Sequence, residues 1–304
     1  MKSDFKFLNL LGTVYRHGNL VFTKDGKKLL SPVGNRVSCF DLVNSKFFTF
    51  NYEHRKNIER IALNDQETLL LTVDVDGRAI LVNFITRVVL HHFNFKESVL
   101  DLKFSPDGHY FAIAMGRFIQ VWKTPDFTED RQFAPFVRHR IYAGHYSEVT
   151  SISWSNDLRF FISTSKDMTS KIFSLASEEK EVAMTLAGHR DRVVNAFFNS
   201  TQEIIYTVSK DGAIFTWEYT KNPGEESESE SESDEEDDTD SSNSSWRITA
   251  KNFFMANANL KCCTFHPRSN LLVVGFSNGE FRLYEMPDFN HIQLLLMGQN
   301  SINA

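Results

Sequence analysis

The chain has 304 residues, 41% of them hydrophobic and 28 of them Phe, enough apolar material for a layered core. Its formal net charge is −6, yet residues 225–240 hold eleven Asp/Glu and no Lys or Arg, so the remainder carries 33 basic against 28 acidic side chains, a balance of +5. No apolar run reaches the ~18 residues of a membrane helix, Met1-Lys2-Ser3-Asp4 opens no secretory leader, and Cys39, Cys262 and Cys263 are too few for a disulfide framework and suit a reducing compartment.

In chain order, residues 5–11 alternate like an outer strand. Residues 20–40 follow, with Thr23-Lys24-Asp25-Gly26 at a hairpin. Next come His54, Thr72 and Asp76, His leading Asp by 22 positions, with Val82 on the strand after them. Residues 102–122 carry Phe104-Ser105-Pro106-Asp107-Gly108 and end on Trp122. His145, Ser163 and Asp167 repeat the 22-residue spacing, with Phe173 beyond, and His189, Thr207, Asp211 and Trp217 repeat it again. Residues 261–284 close the series, with Asn278-Gly279 at the hairpin.

The two best copies superimpose at an offset of 44 residues, Gly144-His145 on Gly188-His189 and Ser165-Lys166-Asp167 on Ser209-Lys210-Asp211. A period of about 40–45 residues with a Gly-His start marks a four-stranded propeller blade. In the second copy residues 193–198, 204–209 and 213–219 read as strands a, b and c, joined by Lys210-Asp211-Gly212. The Asp–His–Ser/Thr–Trp spacing resembles the WD-repeat family. The resemblance implies an all-β propeller in which a buried carboxylate takes hydrogen bonds from imidazole and hydroxyl, each contributing roughly 1.5–3 kcal/mol. Thr207 lies inside a strand with no oxyanion pocket beside it, so the trio is structural and not a hydrolase triad.

Six blades can be placed, their c-strands ending near Phe40, Val82, Trp122, Phe173, Trp217 and Tyr284. Half of them lack the polar chain, and aromatic packing is expected to stabilise those. After Leu296 the chain reads as though another blade were beginning. A seventh blade completed by residues beyond 304, with residues 5–11 as its outer strand, would remove the open sheet edge. That makes residues 1–304 a single propeller at the front of a longer protein. A six-bladed ring closed by the N-terminal strand is the other arrangement.

Two blades are long: 51 residues separate Trp122 from Phe173 and 67 separate Trp217 from Tyr284, against 40–44 elsewhere. Both surpluses fall between strands c and d, on one face of the ring. The larger, 224–245, is predicted to be disordered. Its Ser227, Ser229, Ser231 and Ser233 each precede an acidic residue by three positions, the pattern acidophilic kinases favour; a solvating loop is the other reading.

The smaller insertion contains Asp130-Arg131-Gln132-Phe133-Ala134-Pro135-Phe136-Val137-Arg138-His139-Arg140. With Gly34-Asn35-Arg36-Val37, Tyr52-Glu53-His54-Arg55-Lys56-Asn57 and the acidic insertion, it resembles the N-terminal propeller of the periodic tryptophan protein two family. That resemblance implies a non-catalytic scaffold of the small-subunit processome in the nucleolus. It further implies other propeller subunits of the UTP-B subcomplex, precursor ribosomal RNA and small nucleolar ribonucleoprotein as partners, in a protein of two tandem propellers and a helical region. The competing class is a protein adaptor that touches no RNA.

No phosphate-cradling loop or tuned carboxylate pair is present, so neither catalysis nor a cofactor or small-molecule substrate is expected. Cys262 and Cys263 are adjacent on a strand and point to opposite faces, which prevents them from sharing a metal with His266; His91-His92 is treated likewise. The b–c turns and d–a loops should share the other face of the ring and carry Arg36, Arg55, Lys56, Arg78, Arg117, Lys166, Arg190, Arg192 and Lys210. Such a rim would hold phosphates, or consist merely of solvated turn residues. Arg131, Phe133, Phe136, Arg138 and Arg140 combine the residue types of interface anchors; alternatively the two Phe pin the loop to its blade.

Overall fold

Six antiparallel four-stranded sheets follow one another along the computed structural model, which describes residues 18–125, 135–175, 183–220, 245–254 and 258–296. Blade 1 is β1 (Val21–Phe22), β2 (Lys28–Val33), β3 (Arg36–Asp41) and β4 (Lys46–Thr49). Blade 2 is β5 (Ile58–Leu63), β6 (Leu69–Asp74), β7 (Arg78–Asn83) and β8 (Val89–Asn94). Blade 3 is β9 (Asp101–Phe104), β10 (Tyr110–Met115), β11 (Phe118–Lys123) and β12 (Val137–Tyr142). Blade 4 is β13 (Val149–Trp154), β14 (Phe160–Ser165), β15 (Thr169–Ser174) and β16 (Met184–Ala187). Blade 5 is β17 (Val193–Phe198), β18 (Ile204–Ser209), β19 (Ala213–Thr220) and β20 (Ser245–Phe253). Blade 6 is β21 (Leu260–His266), β22 (Leu271–Phe276), β23 (Glu280–Glu285) and β24 (Asn290–Leu296).

Every sheet is a simple meander, a-b-c-d, and both long insertions fall between c and d as the spacing required. The chain is therefore an all-β, six-bladed propeller arrangement in its described residues. Residues 5–11 and those after 296 lie outside them.

The b-strands β6, β10, β14 and β18 are buried on both faces over nearly their whole length, which is why apolar residues follow one another in them rather than alternating with exposed ones. β6, Leu-Leu-Leu-Thr-Val-Asp, is buried at all six positions. Leu70 joins Ile61 of its own blade in a cluster with Leu30 and Val37 of blade 1, while Leu71 and Val73 join Phe111, Ile113 and Trp122 of blade 3.

Two local devices recur. At the a–b turn a buried hydroxyl accepts the backbone N–H five residues on and donates to an Asp two residues on. Lys28 N to Thr23, Tyr110 N to Ser105 and Phe160 N to Ser155 are all 3.0 Å, and the Asp partners are Asp25, Asp107 and Asp157. At the opposite end the first residue of an inner strand donates to the b–c turn of the preceding blade: Ile58 N to Gly34 O at 2.9 Å, Val149 N to Gly116 O at 2.8 Å and Leu260 N to Lys210 O at 3.0 Å. Gly77, φ +79°, shows how tight this end is, since a Cβ there would sit 2.0 Å from Glu97 O.

Aromatic contacts fill the blades that lack a complete polar chain. Trp122 packs edge-on against Phe93 and Phe95 at 5.2 and 5.6 Å, and Phe173 stacks on Phe161 at 5.3 Å.

Candidate functional site

The three His-led polar chains differ in construction. In blade 4, His145 bridges Asp167 Oδ2 through Nδ1 at 2.9 Å and Ser163 Oγ through Nε2 at 2.7 Å. Asp167 also accepts from Tyr146 N at 3.0 Å and from the Thr169 hydroxyl at 2.6 Å. Burial raises the Asp167 pKa, but hydrogen bonds from Thr169, Tyr146 and His145 outweigh it and hold the carboxyl below its usual range. Burial lowers the His145 pKa, with Asp167 opposing.

In blade 5 the lower half of the chain forms and the upper half does not. Trp217 Nε1 donates to Thr207 Oγ1 at 2.9 Å, and His189 Nε2 meets the same oxygen at 2.7 Å. Asp211 is exposed and takes the Ser209 hydroxyl instead, so His189 Nδ1 finds no partner among the described residues. His189 lies flat on Phe215, ring centroids 4.1 Å apart. The expectation that Asp211 is the buried acceptor of His189 is thus corrected.

Blade 2 needs a larger correction. His54 Nε2 meets Thr72 Oγ1 at 2.8 Å, but the carboxylate facing Nδ1 belongs to Asp74, not Asp76. Asp74 is fully buried at the end of β6 and accepts Asp76 N and Arg78 N at 3.0 and 2.9 Å. Asp76 turns outward to Lys56 at 2.8 Å. Position 74 corresponds to Ser165 and Ser209 in the other two blades. The 22-residue rule fails here because a carboxylate at the strand end occupies the space the hairpin Asp would need.

The cationic rim divides into two classes. Arg36 pairs with Glu53 at 2.7 Å, Lys56 with Asp76, and Lys166 with Glu148. Arg55, Arg78, Arg117, Arg190, Arg192 and Lys210 have no carboxylate partner among the described residues. Backbone bonds hold the two kinds of loop together: Val75 N to Asn57 O at 3.2 Å, Lys166 N to Glu148 O at 2.9 Å and Lys210 N to Arg192 O at 3.0 Å. Backbone bonds thus tie these turns to the loops beside them; Arg55, Arg117, Arg190 and Arg192 are exposed, whereas Arg78 and Lys210 are half-buried.

The aromatic-Arg candidate comes apart. Phe136 is buried, stacked on Phe93 at 4.6 Å in the core between blades 2 and 3, so it anchors the loop and offers nothing to a partner. Arg138 is exposed on β12, and Arg140 lies 5.7 Å from the Tyr142 ring centroid. Arg131, Phe133, Ser227, Ser229, Ser231 and Ser233 lie outside the described residues.

No cluster of three metal-ligating side chains occurs among the described residues. Cys262 and Cys263 sit on β21 opposite Gly275 and Val274, and burial raises both thiol pKa values.

Sequence reasoning missed the exposed apolar side chains of the rim: Tyr146, Met168 and Phe118, at 89%, 44% and 38% exposure. The available signal was their position. Each lies beside a Gly-His start or a b–c turn, where side chains have no neighbouring blade to pack against.

A family model, "WD domain, G-beta repeat", matches residues 85–123, 136–174 and 180–218. The chain carries WD40 repeats. Each matched window begins before the outer strand of one blade and ends on the c-strand of the next, so successive repeats share blades. Over its whole length the chain is 64% identical to Periodic tryptophan protein 2 of Saccharomyces cerevisiae and 52% identical to the Periodic tryptophan protein 2 homolog of Neurospora crassa. It spans about a third of each of those relatives, 33% in both cases. Among solved structures, the β-propeller domain of Cps50 (Swd1) from Myceliophteria thermophila superimposes with a TM-score of 0.73 at 13% identity, covering 96% of this chain and 90% of that one. At that identity the likeness speaks for the β-propeller fold alone.

Proposed function

We propose that this WD40 propeller is a scaffold of the small-subunit processome, acting in ribosome biogenesis in the nucleolus. It would support maturation of small-subunit ribosomal RNA by docking other propeller subunits of the UTP-B subcomplex, the precursor RNA and its small nucleolar ribonucleoprotein. The observation that carries this is the identity to Periodic tryptophan protein 2 along the entire chain, 64% and 52% in two fungi. Support comes also from a face of hydrogen-bonded loops on which six cations have no carboxylate partner among the described residues. A WD40 propeller of this kind works by presenting surfaces, and its buried Ser/Thr-His-Asp chains are structural.

A second reading, a protein adaptor without RNA contact, is favoured by the ion pairs that cancel Arg36, Lys56 and Lys166. The deciding experiment tags the full-length protein, purifies it at moderate salt and inventories its partners with and without nuclease. Precursor ribosomal RNA together with nuclease-resistant propeller proteins supports the processome reading. A nuclease-insensitive set lacking ribosomal precursor overturns it in favour of the adaptor.

A further inference from the structure

The inner strands of blades 3 to 6 border a cavity of about 410 Å³ at the a–b end of the ring, away from the b–c turns. β9, β13, β17 and β21 pack side by side around it. Trp154, Phe197 and Phe265 give it aromatic surface, the ring centroids of the two Phe lying 6.0 Å apart. Hydrogen bonds tie the wall from blade to blade. Trp154 Nε1 donates to Lys103 O at 3.3 Å, Ser151 Oγ to Asn195 Oδ1 at 2.7 Å and Asn195 Nδ2 to Cys263 O at 3.4 Å. Lys103, Asn156 and Thr264 also line the cavity and are exposed, so it is reached from solvent.

Lys103 is the one charged side chain among the described lining residues, and no carboxylate among the described residues pairs with it. In the a–b turns beyond, Asp107 takes the Ser105 hydroxyl, Asp157 pairs with Arg159 at 2.6 Å, and Glu203 and Arg268 are exposed; none of these side chains lines the cavity. The Asn156 amide and the Thr264 hydroxyl make no side-chain hydrogen bond among the described residues. The cavity thus combines aromatic walls, open donors and acceptors, and a single cation, and its occupant must answer all three. A fatty acid would leave Asn156 and Thr264 unmatched. A sugar phosphate would leave the aromatic walls without an apolar partner. A planar heterocycle with a polar edge and an anionic tail satisfies each.

We propose that this cavity takes one unstacked nucleotide. The base packs against Trp154 and Phe197, its polar edge meets Asn156 and Thr264, and its phosphate sits at Lys103. A free mononucleotide and a base turned out of an RNA strand share this chemistry. The site lies at the other end of the ring from Arg55, Arg190 and Lys210, so it stands or falls separately from the cationic rim and from the processome reading.

The test titrates the full-length protein with adenosine and uridine monophosphate by calorimetry, and photo-crosslinks it to a short single-stranded RNA carrying 4-thiouridine. A monophosphate or the RNA should bind, with adducts on the strands that border the cavity. Trp154→Ala should weaken that binding at least about fivefold. Because Trp154 also packs on Phe161 at 5.2 Å, the exposed Lys103→Glu and Thr264→Trp, one reversing the charge and the other filling the cavity, should do the same at an unchanged melting temperature. Arg55→Glu with Arg190→Glu and Lys210→Glu should leave monophosphate binding as it was. A bound monophosphate that the RNA fails to displace identifies a free nucleotide as the occupant; displacement, or RNA adducts at the cavity, identifies a base of an RNA strand, and either result supports the proposal. No binding of any probe, adducts confined to the opposite rim, or affinities indifferent to Lys103→Glu and Thr264→Trp would each overturn it. The partner inventory on the unsubstituted protein separately decides the processome reading.

Discussion

His54 Nδ1 lies 3.7 Å from Asp74 Oδ2, both side chains essentially without solvent contact, while Asp76 two residues later pairs with Lys56 at the surface. The two carboxylates therefore differ sharply in what their removal does. Asp74→Ala strands two backbone N–H groups and a buried imidazole and should cost about 2–4 kcal/mol. Asp76→Ala removes an exposed ion pair and should cost less than about 1 kcal/mol. Urea denaturation of the two variants checks the assignment; equal destabilisation would restore Asp76 as the partner of His54.

Acid should destabilise the propeller well above the carboxylate range. Burial pushes the His189 pKa down from 6.5 to about 4, opposed by the charge of Asp211, and burial likewise pushes His54 down to about 4, opposed by Asp74. Between those values the unfolded chain binds more protons, so stability is complete above about pH 6.5 and falls as pH drops toward 4. Each imidazole contributes a slope of up to about 1.4 kcal/mol per pH unit. Urea midpoints measured from pH 7 to 4.5 should show it, and His189→Gln should flatten the slope by one proton.

Phe136 and Arg138 test which part of the insertion is core. Phe136→Ala opens a cavity beside Phe93 and Phe111 and should cost about 3–5 kcal/mol. Arg138→Ala, on the exposed side of β12, should stay within about 0.5 kcal/mol. Thermal melts of both variants distinguish a structural from an interface role for the pair.

The rim offers a sorted prediction under the processome reading. Arg55→Glu, Arg190→Glu and Lys210→Glu together should weaken binding of single-stranded precursor RNA and reduce the slope of log affinity against log salt, by about 0.7 for each phosphate the protein no longer neutralises. Lys56→Ala should do much less, because Asp76 already cancels that charge. Fluorescence anisotropy across a salt series reads both effects, and an unaltered slope in the triple variant would remove the rim from RNA binding.

The sequence by itself determined the architecture. A 44-residue self-similarity, hairpin pairs such as Asp211-Gly212 and apolar runs such as Leu69–Asp74 are local consequences of a strand buried on both faces and a turn that needs Gly. The six c-strands and both c–d insertions follow from them, because strand period and turn chemistry act over neighbouring residues. Only the tertiary structure decided which polar atoms meet. A spacing rule cannot tell Asp74 from Asp76, cannot see Ser209 capture Asp211, and cannot place Phe136 against Phe93 on another blade. Ion pairing on the rim was likewise invisible, since Lys56 and Asp76 or Arg36 and Glu53 meet only when a loop and a turn 17–20 residues apart fold side by side. Burial and pairing depend on what arrives from elsewhere in the ring, and that is a property of the packed blades rather than of any one repeat.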